Sequence, residues 1–68
     1  MKEGTKVRWS WGSGTAEGIV RKTYERRVTR KLKGTSITRN GSVDDPALFI
    51  EQEDGDGVLK LASEVKAA

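Results

Sequence analysis

Three stretches of this 68-residue chain hold residue types at spacings that could do chemistry. The first is WSWGSGTAEG, Trp9 to Gly18, with both tryptophans and a cluster of glycines that could cradle a phosphate. A dinucleotide fingerprint needs G-x-G-x-x-G after a strand and opening a helix. Gly12 and Gly14 begin that pattern, but Glu17 occupies the third position and Gly18 comes one residue late. An anion would meet a carboxylate where it needs amides, and the residues that follow alternate like a strand, so the segment reads as a tight β-turn. The second is EDGDG, Glu53 to Gly57, which offers Asp54 and Asp56 to a cation. The calcium-loop pattern fails, because Gly57 is too early and Val65 stands where a bidentate acid belongs. A hairpin turn accounts for it, and no metal site is expected.

The third stretch is basic. Arg21 to Arg39 holds eight Lys or Arg residues, Arg21, Lys22, Arg26, Arg27, Arg30, Lys31, Lys33 and Arg39, against Glu25 alone. From Asp44 to Glu64 the balance reverses, with seven acids against Lys60, so the net charge of +3 conceals an electric dipole along the sequence. The basic residues are candidates for phosphate contact. Alternation puts Arg21 and Lys22 on opposite sides of a strand, so only a subset can share one surface. If about five phosphates were neutralised, affinity would fall roughly 10²- to 10³-fold for a fourfold rise in salt. The alternative is a solvated set of charges that keeps strand edges soluble. Nothing resembles a helix suited to the major groove.

Neither Cys nor His occurs. Disulfides, thiolate metal sites and imidazole catalysis are therefore absent from the menu. An enzyme would need a carboxylate pair or an activated Ser in a pocket that so short a chain could scarcely enclose. No catalytic residue and no cofactor is expected. No long apolar run suggests a signal peptide or membrane span, so a cytoplasmic monomer with no membrane partner is the default.

The elements that must position these residues are strands. Val7, Trp9 and Trp11 alternate with Lys6, Arg8 and Ser10 in a half-buried strand. After a turn at Gly12 to Gly14, Ala16, Gly18, Val20, Lys22 and Tyr24 alternate with Thr15, Glu17, Ile19, Arg21 and Thr23. Ala16 and Gly18 suggest a bulge or a close backbone approach. Val28 to Thr38 is rich in β-branched residues, with Lys33-Gly34 and Asn40-Gly41 as breakers, and holds one or two strands. Ser42 to Pro46 reads as a loop. Ala47 to Glu53 and Val58 to Leu61 are strands, and Ala62 to Val65 makes a helical turn. The chain is expected to be all-β: five or six short antiparallel strands forming one small barrel over residues 1–68. Its core comprises Val7, Trp9, Ala16, Val20, Leu48, Ile50 and part of Val58 to Leu61.

Magnitudes separate the two tryptophans. Truncating a buried aromatic costs about 3–5 kcal/mol, whereas a cation against an aromatic face gains about 0.5–2 kcal/mol. A domain with about 5 kcal/mol of net stability and four large aromatics can hardly expose two of them. Trp9 is expected in the core and Trp11 at the barrel rim, partly exposed.

The strings KVRWSWGSGTAEGIV, TRKLKG, TRNGS and DDPALFIEQEDGDGVLKLASEV, in that order, span nearly the whole chain. Together they resemble the hypervirulence-associated Tudor-domain family, found as short stand-alone bacterial proteins and in fungi. The resemblance implies an SH3-like, Tudor-type barrel and little chemistry. Better-known Tudor domains hold methylated lysine or arginine in an aromatic cage at rim loops, for which Trp11 and Phe49 are the two candidate walls. The chain is expected to be a non-catalytic binding module. Its partner is nucleic acid, through the eight basic residues, or a protein or peptide at the rim, through Trp11 and Phe49.

Overall fold

In a computed structural model, which describes residues 2–68, the first strand follows its hydrophobic period. In β1 (Lys6–Trp11), Val7 and Trp9 are buried while Lys6, Arg8 and Ser10 are exposed. A two-residue connection, Gly12-Ser13, leads into β2 (Gly14–Tyr24) with Trp11 paired to Gly14. Gly12 has φ +48°, as a hairpin turn with glycine first requires.

The long strand β2 also pairs with β5 (Ala47–Gln52). Here a uniform alternation fails. Val20 faces Ile50, Arg21 is passed over as a bulge, and Lys22 faces Phe49. One extra residue reverses the parity of everything after it. Lys22 and Tyr24, which simple alternation groups with Val20, therefore lie on the side of Phe49 and Ala47. Gly18 serves a different purpose from the bulge. A Cβ there would lie 2.5 Å from Ile50 Cγ2 and 2.8 Å from the Glu51 carbonyl oxygen, so glycine lets the two strands approach.

The basic middle of the chain forms a separate two-stranded ribbon, β3 (Arg27–Leu32) and β4 (Thr35–Asn40). Its turn is Lys33-Gly34, with φ +52° and +78°, the left-handed pair that a type I′ hairpin demands. Asn40-Gly41, the stronger turn signal in the sequence, instead ends β4. Gly41 is needed there because a Cβ would strike the backbone of Tyr24, with Ala47 N at 2.7 Å and Arg26 O at 2.8 Å.

The remaining elements are β6 (Gly57–Leu61), a 3-10 turn at Ala62–Glu64 and the two-residue β7 (Lys66–Ala67). The larger sheet runs β6-β5-β2-β1-β7. Seven strands thus replace the five or six expected, β7 being too short for any periodicity to mark it. The expected helical turn is present as the 3-10 turn. Glu64 fastens it by accepting the Leu61 N–H at 2.8 Å. Asp45 holds it from outside, accepting the Ser63 N–H at 2.8 Å and the Ser63 hydroxyl at 2.7 Å.

Val7, Trp9, Val20, Leu48, Ile50 and Val65 form the core, with Ala16, Val58 and Ala62 packed against it. A second, thinner layer lies across β5 and β6. Ala47 and Leu59 are buried outside that cluster, and Leu59 pairs with Phe49 beneath the ribbon's inner side. There Val28, Arg30, Leu32, Ile37 and Arg39 are half-buried, while Arg27, Thr29, Lys31, Ser36 and Asn40 are exposed. An isolated two-stranded ribbon is marginal at best in water, so this layer is what holds it. The result is a small all-β barrel of the SH3-like, Tudor type, 28 × 27 × 21 Å. No helix among the described residues is long and apolar enough to cross a membrane.

Candidate functional site

Trp11 lies on the inward side of β1, two pairs beyond Trp9, where the core has already ended. Its side chain is 60% exposed, against 7% for Trp9. The indole is nevertheless held in place. It lies over Gly14, its cross-strand partner, so closely that a Cβ on Gly14 would be 3.3 Å from the ring. A ring fixed before binding loses less freedom when a ligand arrives. The β2–β5 register brings Gln52 opposite Gly18, and the chain turns at Glu53 and Asp54. An open groove results, lined by Trp11, Thr15, Ala16, Glu17, Gln52, Glu53 and Asp54. It contains three carboxylates and no cation. Lys6 lies 3.6 Å from Glu17 and engages that one from outside the groove.

Phe49 does not line this groove. Its ring is covered by the Arg30 guanidinium at 3.9 Å from the centroid, and it packs against Gly57, where even a Cβ would collide with the ring. Arg30 also donates to the Tyr24 hydroxyl at 3.0 Å. The two aromatics proposed as walls of one cage are thus on different surfaces. The reason is that Phe49 faces the ribbon, which covers it.

The eight basic residues divide in the same way. Arg21 pairs with Glu51 at 2.8 Å, Lys33 with Asp56 at 2.6 Å and Arg39 with Glu64 at 3.3 Å. Arg30 is committed to Phe49 and Tyr24. Lys22, Arg26, Arg27 and Lys31 are exposed and make no ion pair among the described residues. Lys22 and Arg26 share a recess with Glu3 and Glu25, and Arg26 approaches the Tyr24 ring at 5.9 Å. Arg27 and Lys31 occupy the ribbon's outer face.

The EDGDG turn is held by its own side chains. Asp54 Oδ1 accepts the Asp56 N–H at 2.9 Å. Hydrogen bonding to Lys33 lowers the Asp56 carboxyl below its ordinary value, and the same bond raises Lys33. Among the described residues no group of three or more Asp or Glu is placed to hold a metal ion.

The carboxylates beside Trp11 are the part of this site that sequence reasoning missed. Glu53 and Asp54 belong to a segment legible only as a turn, and Glu17 is far from it along the chain. The β1–β2 hairpin joins Glu17 to the indole, and only the β2–β5 register brings Glu53 and Asp54 to it.

Comparison with curated proteins and with solved structures gives no match. A family model does match: that of the hypervirulence associated proteins TUDOR domain, over residues 4–65. The matched span takes in every strand from β1 to β6, the 3-10 turn, and Trp11 with its acidic neighbours, and the chain belongs to this family.

Proposed function

We propose that this Tudor-type barrel is a non-catalytic binding module that recognises a lysine or arginine side chain of a protein partner at the Trp11 groove. The observation that carries the reading is a 60% exposed tryptophan in a chain that has only four large aromatics. Leaving an indole in water forgoes burial worth roughly 1.5–3 kcal/mol for a large apolar side chain. That cost is met when a partner covers the ring. The chemistry of the partner follows from the walls. An indole face attracts a cation, by about 0.5–2 kcal/mol depending on desolvation. Glu53 and Asp54 supply acceptors for its N–H donors and exclude anions by repulsion. A fully methylated ammonium has no N–H to offer and is held best by several aromatic faces. With Phe49 taken up by Arg30, Trp11 provides one, so an unmethylated cation suits the groove better.

Heteronuclear NMR tests this with a short peptide carrying a central Lys or Arg. The Trp11 indole N–H should shift on titration while the buried Trp9 indole serves as an unmoved internal reference. Trp11→Ala should weaken binding roughly 2- to 30-fold, the equivalent of the cation–aromatic energy, without unfolding the domain. A peptide that moves neither indole, or binds Trp11→Ala equally well, would sink the proposal.

A further inference from the structure

From a different surface and independently of the Trp11 reading, we infer that the outer face of the β3–β4 ribbon docks on duplex DNA, by phosphate contact in the major groove. In register, this face is three cross-strand rungs: Arg27 with Asn40, Thr29 with Thr38, and Lys31 with Ser36. Two of the six residues are cations, the other four are hydrogen-bonding side chains, and none is acidic. In a chain with ten Asp and Glu, a six-residue face free of carboxylates matches an anionic surface. Ser, Thr, Asn, Lys and Arg are also the side chains that reach phosphate and sugar oxygens in protein–DNA interfaces.

The geometry selects the duplex. Arg27 and Lys31 are four residues apart on one strand, which at about 3.3 Å per residue is roughly 13 Å. The B-form major groove is about 12 Å wide and admits a two-stranded ribbon. Laid across the groove, the strand brings its two cations to opposite phosphate walls, with the Thr29–Thr38 rung between them. An A-form RNA duplex has a major groove too narrow for side chains to enter. Single strands are held chiefly by stacking on aromatic rings, worth about 1–3 kcal/mol per base, and this face has none. The nearest aromatics, Tyr24 and Phe49, are engaged by Arg30 behind the ribbon. The expected binding is sequence-independent, because contacts to phosphates fix position and carry no base information.

The test is a fluorescence-anisotropy titration of one labelled duplex DNA, its single strand and the matching RNA duplex, over a fourfold range of salt. Duplex DNA should bind tightest. With two phosphates neutralised its affinity should fall about 12-fold over that range, from a slope of about −0.9 per contact. Arg27→Gln and Lys31→Gln should each flatten the slope by about 0.9, with unchanged melting because both side chains are exposed. A Lys22→Gln/Arg26→Gln pair should leave the slope as it is. Failure to bind duplex DNA at low salt would overturn the inference. So would equal or tighter binding of either other nucleic acid, a slope that follows Lys22 and Arg26 instead, or displacement of DNA by an acidic peptide at the same concentration as by competitor duplex. None of these results would touch the Trp11 proposal.

Discussion

Arg30 looks in the sequence like one more cation of a phosphate-binding run, and in the fold it clamps the ribbon to the sheet; the two roles predict different consequences of removing its charge. Its guanidinium carbon lies 3.9 Å from the Phe49 centroid, and Nη1 donates to Tyr24 at 3.0 Å. Arg30→Met keeps the apolar stem and deletes both contacts. A partly desolvated cation–aromatic contact is worth about 0.5–2 kcal/mol and a hydrogen bond from a charged donor about 1.5–3. Tyr24 is half-exposed and regains water, so the sum should come out near 2 kcal/mol. For a domain of this size that lowers the melting temperature by about 8–16 °C. Urea denaturation of wild type, Arg30→Met, Phe49→Leu and the double variant closes the cycle. A coupling of about 0.5–2 kcal/mol between the two sites is expected. Lys31→Met, one residue along and exposed, should stay within about 0.5 kcal/mol of wild type. Zero coupling, or an Arg30→Met that behaves like Lys31→Met, would refute the clamp and return Arg30 to the surface charges.

Gly18→Ala would ordinarily stabilise a strand by roughly 0.5–1 kcal/mol through the unfolded chain. Here the added methyl would meet Ile50 Cγ2 at 2.5 Å and the Glu51 carbonyl at 2.8 Å. Overpacking costs about 1–3 kcal/mol, so the variant should melt earlier than wild type, and a rise in melting temperature would show that β2 and β5 are not so closely set. The Lys33–Asp56 pair gives a pH signature. Asp56 is lowered from 3.8, chiefly by its hydrogen bond to Lys33, so its contribution is full above 3.8 and disappears as pH falls through the lowered value. Lys33 is raised from 10.5 by the same hydrogen bond, so its contribution is full below 10.5 and disappears as pH rises through the raised value. The melting-temperature gap between wild type and Asp56→Asn should therefore plateau between those limits and close at both ends. Both groups are solvated, so the plateau is small, and a gap that widens in acid would contradict the pairing.

What could be read from the sequence is what repeats within one strand. Val7, Trp9, Val20, Leu48 and Ile50 stand in the core as their period of two demands. The contrast between Trp9 and Trp11 also followed, because magnitude and nearness to a glycine turn separate a core indole from a rim one. What could not be read depends on a partner strand. The bulge at Arg21 exists only relative to β5, yet it decides which way Lys22 and Tyr24 face. Gly41 is glycine because of backbone from Tyr24, Arg26 and Ala47. The charge dipole of the sequence is likewise partly cancelled in space. Acids of the second half return to Arg21, Lys33 and Arg39 as Glu51, Asp56 and Glu64, each pair far apart along the chain.

That cancellation bears on function. A two-stranded ribbon must be held against something, and this chain holds it with Arg30 on Phe49, Lys33 on Asp56, Arg39 on Glu64 and the apolar side chains between them. On the ribbon's side, Arg30, Arg39 and these apolar side chains belong to its inner face and Lys33 to its turn. Long cationic side chains suit the place, since their stems cover apolar surface while their heads stay near water. The outer face is consequently released from any part in stability, apart from the Thr29–Thr38 hydroxyl contact at 2.8 Å. Trp11 is similarly free, because Trp9 and Val7 complete the core without it. Two surfaces of opposite charge, an acidic groove with an indole and a basic ribbon face, thus sit on one barrel at positions where substitution costs the fold little. Variants such as Trp11→Ala and Lys31→Gln can therefore report on binding while the barrel stays intact.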